Sequence, residues 1–184
     1  MKKNKDVLII FGSPHKNGHC KKLMHTVFEV FSKEDCEIFS PFKMQMNPCI
    51  DCGVCKENDE CAFGDLNEFY DDLENCGKLI IISPIYNSGY PSPLKALVDR
   101  LQRYYNARFA RNIRPPIKKE KKAVLILSSG SDGEEEAKMI EKQTKKVFTV
   151  INSELIETVL QQNTDYETND MSEKIKNACV KIKN

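Results

Sequence analysis

Apolar residues follow two alternating patterns along the chain: short continuous runs, and longer stretches in which they recur at helical spacing. The continuous runs predict five strands, at 6–12, 36–40, 78–84, 123–129 and 153–160. After the first run, apolar side chains recur every three or four residues and predict a helix carrying Leu23, Met24, Val27, Phe28 and Phe31. The segments between the later strands, and the last segment, predict further helices at 65–76, 92–105, 134–148 and 170–183.

Strand and helix therefore alternate, which is typical of a parallel sheet with helices on both faces. Because crossovers between parallel strands are right-handed, the prediction is an α/β fold, a doubly wound five-stranded sheet in a three-layer sandwich. The length fits a single domain, 1–184. Ligands of such sheets bind beyond the carboxyl ends of the strands, so the loops after the first, third and fourth strands are the ones of interest.

The ends of three helices carry recognisable signals. Asp65 is predicted to cap the helix at 65–76. Ser92 as the N-cap, followed by Pro93 at the first helical position, predicts the start of one helix over 92–105. The helix at 134–148 is acidic in its first turn and basic in its last, which matches the helix dipole.

Charge and composition narrow the class of protein. Apolar residues make up 40% of the chain and charged residues 30%, as in globular proteins, and the net charge of +1 gives no case for nucleic acid or a membrane surface as the partner. No apolar run approaches the roughly 18 residues of a membrane helix. The basic start is followed by an apolar run too short for a secretory signal, so we expect a cytoplasmic protein.

The segment 103–122 departs from this neutral balance, with eight basic residues, one glutamate and three interleaved aromatic residues. Such a composition suits single-stranded nucleic acid. The rest of the chain is acidic by about the same amount, however, and contains no recognised nucleic-acid module. We interpret the segment as a solvated or subunit-contacting loop, with a site for an anionic reductant or an acidic protein as the alternative.

The chain has eight cysteines. In a reducing compartment, clustered thiols are more often metal ligands or catalytic groups than disulfides. Four lie within fourteen residues, 48–61, just after the second strand, in a segment that we call the cysteine loop (47–63). The other four are scattered and are predicted to be small apolar residues in or near the core: Cys20, Cys36, Cys76 and Cys179.

The spacing in the cysteine loop is C-x2-C-x2-C-x5-C, on Cys49, Cys52, Cys55 and Cys61. A [4Fe–4S] cluster needs one thiolate per iron, and a tight loop with two-residue gaps supplies three of them, as in bacterial ferredoxins. Cys61 is available as the fourth ligand, and Gly53 leaves room for backbone N–H groups near the cluster sulfurs. Zinc is the nearest competitor, although structural zinc sites prefer two separated pairs of ligands. Thiols that hold no metal are the third alternative.

The loop after the first strand, 12–20, which we call the first loop, has the parts that bind a phosphate. It combines glycines, the Ser13 hydroxyl, the Asn17 amide and the free N–H groups of a helix start, with basic residues nearby. It matches neither a dinucleotide fingerprint nor a Walker loop, because the glycine spacing differs and His19-Cys20 replaces Lys-Ser/Thr. A generic strand-to-helix turn is the alternative.

The second loop, 83–92, and the third loop, 128–136, follow the third and fourth strands. In the second loop, Tyr86 and Tyr90 could line a planar aromatic ligand, and the alternative is that both pack under the loop. In the third loop, small residues would let the backbone approach a ligand closely, and a flexible turn capped by Asp132 is the alternative. Together the three loops predict one phosphate and one planar ring along one edge of the sheet.

Over roughly residues 5–101 the sequence resembles the NADPH-dependent FMN reductase superfamily, and more narrowly its iron–sulfur flavoprotein branch. The likeness rests on "GSPHKNGHC" (12–20), "SPIYNSGYPSPLKALVDRL" (83–101) and the cysteine loop between them. It implies a flavodoxin-like fold with strand order 2-1-3-4-5, a cysteine-rich insertion after strand two, and FMN at the edge described above. The implied FMN-binding residues are Ser13, His15, Asn17, Gly18, His19 and Cys20 around the phosphate, and Pro84, Ile85, Tyr86, Asn87, Ser88, Gly89 and Tyr90 along the ribityl chain and ring. The third loop agrees with the family more loosely, and its candidate FMN-binding residues are Ser129, Gly130, Ser131 and Gly133.

Two places in the first loop depart from the family pattern. The family usually has Arg where His15 stands, and Asn-Thr or Asn-Ser where His19-Cys20 stand. A thiol is a poorer donor to phosphate than a hydroxyl, which would weaken FMN binding. The helices and strand after residue 103 carry no specific motif.

The resemblance implies an FMN-dependent oxidoreductase, in which NAD(P)H or a ferredoxin reduces FMN and a [4Fe–4S] cluster on the four cysteines passes electrons to an unnamed acceptor. We assign no side-chain acid–base catalyst. Because the cysteine loop follows the carboxyl end of the second strand, we expect it at the same edge as the three loops. The family arranges clusters near the flavins of neighbouring subunits, so we expect a homodimer or homotetramer. Two alternatives stay open: a non-catalytic electron carrier, and a plain NAD(P)H-dependent FMN reductase with an empty cysteine loop.

Overall fold

The computed structural model describes residues 5–167 and 169–183. Within them, parallel strands form one five-stranded sheet with the order β2-β1-β3-β4-β5. The predicted order 2-1-3-4-5 and the flavodoxin-like arrangement are therefore confirmed. The strands are β1 (Val7–Phe11), β2 (Cys36–Phe39), β3 (Lys78–Pro84), β4 (Lys121–Ser128) and β5 (Ser153–Gln161).

Helices cover both faces of the sheet. Helices α1 and α7 pack on one face, and α3, α4, α5 and α6 pack on the other, while the short α2 lies within the cysteine loop. No helix in the described part of the chain is long and apolar enough to cross a membrane. The helices are α1 (His19–Val27), α2 (Val54–Glu57), α3 (Asn67–Asn75), α4 (Ser92–Arg100), α5 (Gln102–Phe109), α6 (Glu134–Phe148) and α7 (Ser172–Lys183).

Successive side chains of the inner strands point to opposite faces of the sheet, and both faces are buried. In β1, Leu8 and Ile10 belong to the core beneath α3–α6, whereas Val7, Ile9 and Phe11 belong to the core beneath α1 and α7. Burial on both faces explains why these strands consist of continuous apolar runs. The scattered cysteines lie in these two cores, as predicted: Cys20, Cys36, Cys76 and Cys179.

The start of α3 differs from the prediction that Asp65 caps it. Residues Gly64–Leu66 form a turn of 3₁₀-helix, α3 begins at Asn67, and no side chain caps it. Asp65 is not available as a cap because its carboxylate accepts hydrogen bonds from Arg100 and Asn47. A long-range ion pair has therefore replaced the local capping interaction.

The predicted single helix over 92–105 is two helices in the structure. Leu101 separates α4 from α5, and its ψ of −3° is too shallow to continue regular α-helical hydrogen bonding. At the start of α4, Pro91 occupies the N-cap position and Ser92 is already helical, so the prediction of Ser92 as the cap is wrong by one residue.

The basic segment 103–122 is only partly a loop. Its first residues belong to α5, which ends at Phe109, and its last two belong to β4, which begins at Lys121. The residues between them, 110–120, form the connection. Arg103 and Arg111 turn back towards the cysteine loop, so part of the positive charge is used inside the molecule.

Candidate functional site

The first loop is held tightly where β1 passes into α1. The Gly12 N–H donates to the Ile82 carbonyl at 2.8 Å, and the His15 N–H donates to the Ser13 hydroxyl at 3.3 Å. A Cβ atom on Gly12 would lie 2.5 Å from Cδ2 of Leu94 on α4. At this distance a side chain at position 12 would force Leu94 or the loop to move. The backbone of the loop is therefore fixed beside the first turn of α4.

The N-terminus of α1 has the features expected of a phosphate site. Gly18 occupies the N-cap position without a side-chain cap, and no acidic residue lies in the first turn. His19 Nδ1 is buried and has no hydrogen-bond partner in the described part of the chain. Asn17 is exposed beside it, and Lys21 in the first turn is half-buried. Uncapped N–H groups, a helix dipole and an unpaired imidazole nitrogen fit the phosphate of FMN.

Cys20 does not present its side chain to this site. It is 3% exposed and belongs to the core beneath α1. Burial raises the pKa of the Cys20 thiol to about 12, so the thiol stays protonated. Cys20 can therefore contribute its backbone N–H to a phosphate, whereas its thiol serves the core.

The second loop turns sharply at its tip. Tyr86 and Gly89 exchange two backbone hydrogen bonds, each 2.9 Å long, which close a two-residue turn over Asn87 and Ser88. Both turn residues have positive φ, 47° and 62°, a left-handed conformation that favours glycine. Tyr86 is 40% exposed, so its ring is available to a planar ligand.

Tyr90, at the other end of this loop, is a core residue. It is 7% exposed, and its hydroxyl lies 2.6 Å from the Thr144 hydroxyl of α6. Burial raises the pKa of the phenol well above its ordinary value. The expectation that the Tyr90 ring lines a planar ligand therefore does not agree with its packing, and only Tyr86 of the two tyrosines faces outward.

The third loop contacts the second. The Ile85 N–H donates to the Ser128 carbonyl at 2.9 Å, which joins the two loops at their base. A Cβ atom on Gly133 would lie 2.5 Å from Ser129 Oγ and 3.5 Å from Cδ1 of Ile85, and Gly133 has a φ of 65°. Ser129 is buried, and Ser131 is exposed between the two glycines of the loop. Glycine is needed at 133 for both space and backbone conformation.

The first turns of α1 and α6 differ in charge. The first turn of α6, directly after the third loop, carries Glu134, Glu135 and Glu136. Three carboxylates oppose an anion there, whereas α1 has no acidic residue in its first turn. The start of α1 therefore suits an anion such as a phosphate better than the start of α6 does.

A segment after β5, which the sequence did not single out, closes the third loop. The backbone N–H and the hydroxyl of Thr164 both donate to the Ser129 carbonyl, each at 3.0 Å. The Asn163 N–H donates to the Ser131 carbonyl at 2.8 Å, and the Asp165 carboxylate lies against Gly130. In the sequence, the only indication of this role was that the segment follows the carboxyl end of a parallel strand.

The four cysteines of the cysteine loop line one small cavity. Cys52 is exposed, the other three are half-buried, and all four are free thiols. Gly53 between them has a φ of 81°, and nothing lies within 4 Å of the position of a Cβ atom there, so its role is conformational. The amide of Asn106 on α5 donates a hydrogen bond to Cys55 Sγ at 3.2 Å.

Arg100, the last residue of α4, fastens the two ends of the cysteine loop. Its guanidinium donates to the Asn47 carbonyl at 2.6 Å and to the Phe63 carbonyl at 3.1 Å. It also pairs with the Asp65 carboxylate at 2.6 Å and lies 5.2 Å from the Phe63 ring centroid. Its side chain is 1% exposed, which makes this a buried, bidentate ion pair. The loop is therefore closed by a residue 53 positions from its start.

Two further arginines hold the middle of the cysteine loop. Arg103 donates to the Asp59 carbonyl at 2.8 Å, and Arg111 pairs with the Asp59 carboxylate at 2.9 Å. The guanidinium of Arg103 lies 4.3 Å from the Tyr70 ring centroid, in cation–π contact. Helix α5 and the residues just after it thus hold the loop at Asp59, while Arg100 of α4 closes its two ends.

The thiols are not arranged around a single ion. In residues 5–167 and 169–183, no group of three or more His, Cys, Asp and Glu side chains is close enough to hold one metal ion. A [4Fe–4S] cluster makes a different demand, because each thiolate binds its own iron at a separate corner. Four thiols around one cavity, with an amide donor on one sulfur, are a donor set that fits this cluster.

The cavity of the four cysteines lies at the far end of α4 from the second loop. Its lining comes from the cysteine loop and the α4–α5 junction and includes no residue of the three loops. The helix starts at Ser92, where the second loop ends, and its length to Arg100 is about 12 Å at 1.5 Å per residue. Within one chain, the cysteine cavity and the three loops therefore share no lining residue and are separated by the length of α4.

Known proteins resemble this chain in sequence. The family model for NADPH-dependent FMN reductase matches residues 6–165. An iron–sulfur flavoprotein of Methanosarcina thermophila is 34% identical over 94 residues, which cover 50% of this chain and 49% of that protein. An iron–sulfur flavoprotein of Methanocaldococcus jannaschii is 32% identical over 97 residues, covering 51% and 50%. The chain thus spans about half the length of these curated relatives in the matched region.

Solved structures share the fold over nearly the whole chain. NAD(P)H:quinone oxidoreductase from Methanothermobacter marburgensis has a TM-score of 0.70 at 18% identity, covering 97% of this chain and 96% of that one. An azoreductase from Bacillus anthracis has a TM-score of 0.61 at 15% identity, covering 96% and 95%. At these identities the likeness shows the fold alone. Because the family model matches most of its length, the chain belongs to the NADPH-dependent FMN reductase family.

Proposed function

We propose that the protein is an FMN-dependent oxidoreductase of the iron–sulfur flavoprotein type. It passes electrons from NAD(P)H or a ferredoxin through FMN and a [4Fe–4S] cluster to an acceptor. The observation that carries this proposal is that four cysteines of one short loop line a common cavity, which arginines of α4 and α5 close. Family membership supports FMN, and the names of the curated relatives support the cluster.

The three loops would hold FMN, which accepts a hydride and can release its two electrons singly. The backbone N–H groups at the start of α1, together with Ser13 and His19, would bind the phosphate. The second and third loops would border the ring, with the exposed side chain of Tyr86 available for stacking. The tight packing of Gly12 against Leu94 would keep the phosphate site and the ring site at a fixed separation.

The cysteine loop would hold the cluster, which transfers one electron at a time. Each of Cys49, Cys52, Cys55 and Cys61 would bind one iron. Asn106 would continue to donate its amide hydrogen to the Cys55 sulfur. Arg100 would keep the loop closed through its bonds to the backbone at both ends.

We also propose that the protein works as a homodimer or homotetramer. Because the cysteine cavity and the three loops are separated within one chain, the cluster of one subunit would meet the flavin of a neighbour. A contact there is supported by exposed apolar side chains on the cysteine loop and α5, which are Ile50, Val54, Tyr105 and Phe109. Light scattering tests this proposal, and the mass of a monomer, 21.1 kDa, in the protein loaded with both groups would contradict it.

The experiment that tests the proposed function is anaerobic purification followed by quantification of iron, acid-labile sulfide and FMN per chain. The proposal predicts about four irons, about four sulfides and about one FMN. FMN without iron, despite oxygen-free handling and reconstitution, would leave a plain FMN reductase. A protein that contains neither FMN nor iron would overturn the proposal.

Rapid mixing distinguishes an enzyme from an electron carrier. In an enzyme of this family, NADH or NADPH should reduce FMN at a rate at least as fast as turnover. A carrier should ignore both nucleotides and yet be reduced quickly by a ferredoxin. We expect bleaching of the FMN absorbance with at least one of the two nucleotides.

A further inference from the structure

Two arginines line the cavity of the four cysteines, and their surroundings differ. The guanidinium of Arg100 is engaged by the carbonyls of Asn47 and Phe63 and by the carboxylate of Asp65. Arg100 therefore serves to close the loop. Arg103 also lines the cavity but makes a single hydrogen bond, to the Asp59 carbonyl, so the loop ends do not engage its guanidinium as they engage that of Arg100.

The guanidinium of Arg103 is desolvated and only loosely paired. Its side chain is 11% exposed, it makes one hydrogen bond to the Asp59 carbonyl, and its Nε is buried without a partner in the described residues. The nearest carboxylate oxygens belong to Asp59, 3.8 Å from the guanidinium, and to Glu74, 3.5 Å from it. The first distance is too long for a hydrogen bond, and the second is at the limit for one. The faces of Tyr70 and Tyr104 hold the guanidinium in place, 4.3 and 5.0 Å from the ring centroids.

Asn106, about one turn further along α5, contacts one of the four cysteines. Its side chain is buried, at 4% exposure, and its amide donates to Cys55 Sγ at 3.2 Å. Helix α5 thus supplies one fixed positive charge to the lining of the cysteine cavity and one N–H donor to the sulfur of Cys55. Neither residue carries a proton that exchanges during a one-electron step, because Arg stays charged and the amide stays neutral.

We infer that Arg103 and Asn106 raise the reduction potential of the cluster in the cysteine loop. Reduction adds one electron to the cluster and no proton, so the negative charge on the cluster and its thiolates grows by one. A nearby cation in a low-dielectric cavity stabilises the more negative, reduced state, and so does an N–H donor to a ligand sulfur. Both residues are positioning residues that act through the cluster ligands, and the inference rests on the proposed function.

The test compares variants by redox titration of the cluster, followed by EPR, alongside iron and FMN content. Arg103→Gln removes the charge and should shift the reduction equilibrium about tenfold towards the oxidised state, a potential lower by about 59 mV. Arg103→Lys keeps the charge and should stay within about threefold of the wild type. Asn106→Leu removes the donor and should shift the equilibrium in the same direction as Arg103→Gln. Arg111→Gln is the matched control, because it removes a positive charge and a contact with Asp59 but does not line the cavity.

Each outcome decides the inference. Normal iron content with an unchanged potential in Arg103→Gln and Asn106→Leu overturns it and leaves the proposed function standing. Equal shifts in Arg103→Gln and Arg111→Gln also overturn it, since general surface charge would then explain both. If Arg103→Gln loses iron, retention of iron by Arg103→Lys supports a role for the charge of Arg103. Loss of iron from both variants overturns the inference. Absence of iron from the wild type defeats the proposed cluster itself.

Discussion

Arg100 and Asp65 connect α4 to the cysteine loop through a pair that is largely out of contact with water. Burial alone would lower the pKa of the Arg100 guanidinium, but the bond to Asp65 and the nearby Tyr70 and Cys61 outweigh it, and the pKa lies above its ordinary value. Burial would likewise raise the pKa of Asp65, but hydrogen bonds from Arg100 and Asn47 bring it to about 2. Each member thus depends on the other to remain charged.

Removing the charge of Asp65 should destabilise the protein strongly. Asp65→Asn leaves the Arg100 guanidinium buried without its counter-charge, which costs about 3 kcal/mol of the free energy of unfolding. Urea denaturation of the apo protein measures the change. Asp59→Asn is the control, because that side chain is 77% exposed and its loss should cost less than about 1 kcal/mol. Equal losses in both variants would contradict the role given to Arg100.

Stability should also fall at acid pH through the same carboxylate. The pKa of Asp65 is about 2 in the folded chain against an ordinary value of 3.8, so its contribution is complete above about pH 4 and is lost as pH falls towards 2. Asp6, whose pKa is lowered to about 2 by Lys119 and Lys78, loses its contribution in the same window. Unfolding followed from pH 5 to pH 2 should show a shallower decline in Asp65→Asn than in the wild type. Parallel curves would contradict this assignment.

Single cysteines should separate the two sites. Cys61→Ala should abolish the cluster and keep FMN, because Cys61 lines the cysteine cavity and none of the three loops. Iron and FMN quantified per chain provide the measurement. Cys36→Ala, in the core beneath α1 and α7, should keep both groups. Simultaneous loss of iron and FMN from Cys61→Ala would show that the sites are coupled.

At the scale of elements, the tip of the second loop stores backbone strain beside the proposed flavin site. Asn87 and Ser88 both adopt positive φ to close the turn between Tyr86 and Gly89. A non-glycine residue in this conformation costs on the order of 1 kcal/mol. The turn sets where the exposed ring of Tyr86 stands, so the strain serves to place a side chain.

Substitutions of Ser88 test this interpretation. Ser88→Gly should raise the free energy of unfolding of the apo protein by up to about 1 kcal/mol, because glycine adopts a φ of 62° without a steric penalty. Ser88→Val should lower it by about 1–2 kcal/mol, because a β-branched residue fits the left-handed region poorly. Urea denaturation of both variants gives the values. The same stability for glycine and valine would show that the turn is not strained.

The elements themselves could largely be predicted from the sequence, since strands buried on both faces leave apolar runs that local pattern reveals. The failures are long-range. β4 begins at Lys121, two residues before the apolar run, because the buried ammonium is satisfied by the carbonyls of Lys119 and Ile151. Asp65 has the composition of a helix cap and instead binds Arg100, thirty-five residues away.

The candidate site was predicted less completely than the fold. The sequence identified the four cysteines and the three loops, because glycines and thiols cluster locally. Pattern alone could not decide between a place at the ligand and a place in the core for Cys20 and Tyr90, whose side chains are both buried in the structure. The residues that support the cysteine loop, Arg100, Arg103 and Asn106, carry no motif, since their roles depend on packing between α4, α5 and the loop.

At the scale of the whole molecule, helix α4 links the two proposed sites. Its first turn packs against the first loop through Leu94, and its last residue closes the cysteine loop. The two sites of one chain are therefore held at a fixed separation along a rigid element. Electrons would pass between a flavin and a cluster brought together by assembly of subunits.

Electron passage from FMN to the cluster can be followed by freeze-quench EPR of the loaded protein after mixing with NADPH or a reduced ferredoxin, with FMN absorbance recorded in parallel. We expect FMN to be reduced first and the EPR signal of the reduced cluster to follow at a rate no slower than turnover. A cluster that stays oxidised while FMN is fully reduced and turnover proceeds would contradict electron passage between the two groups.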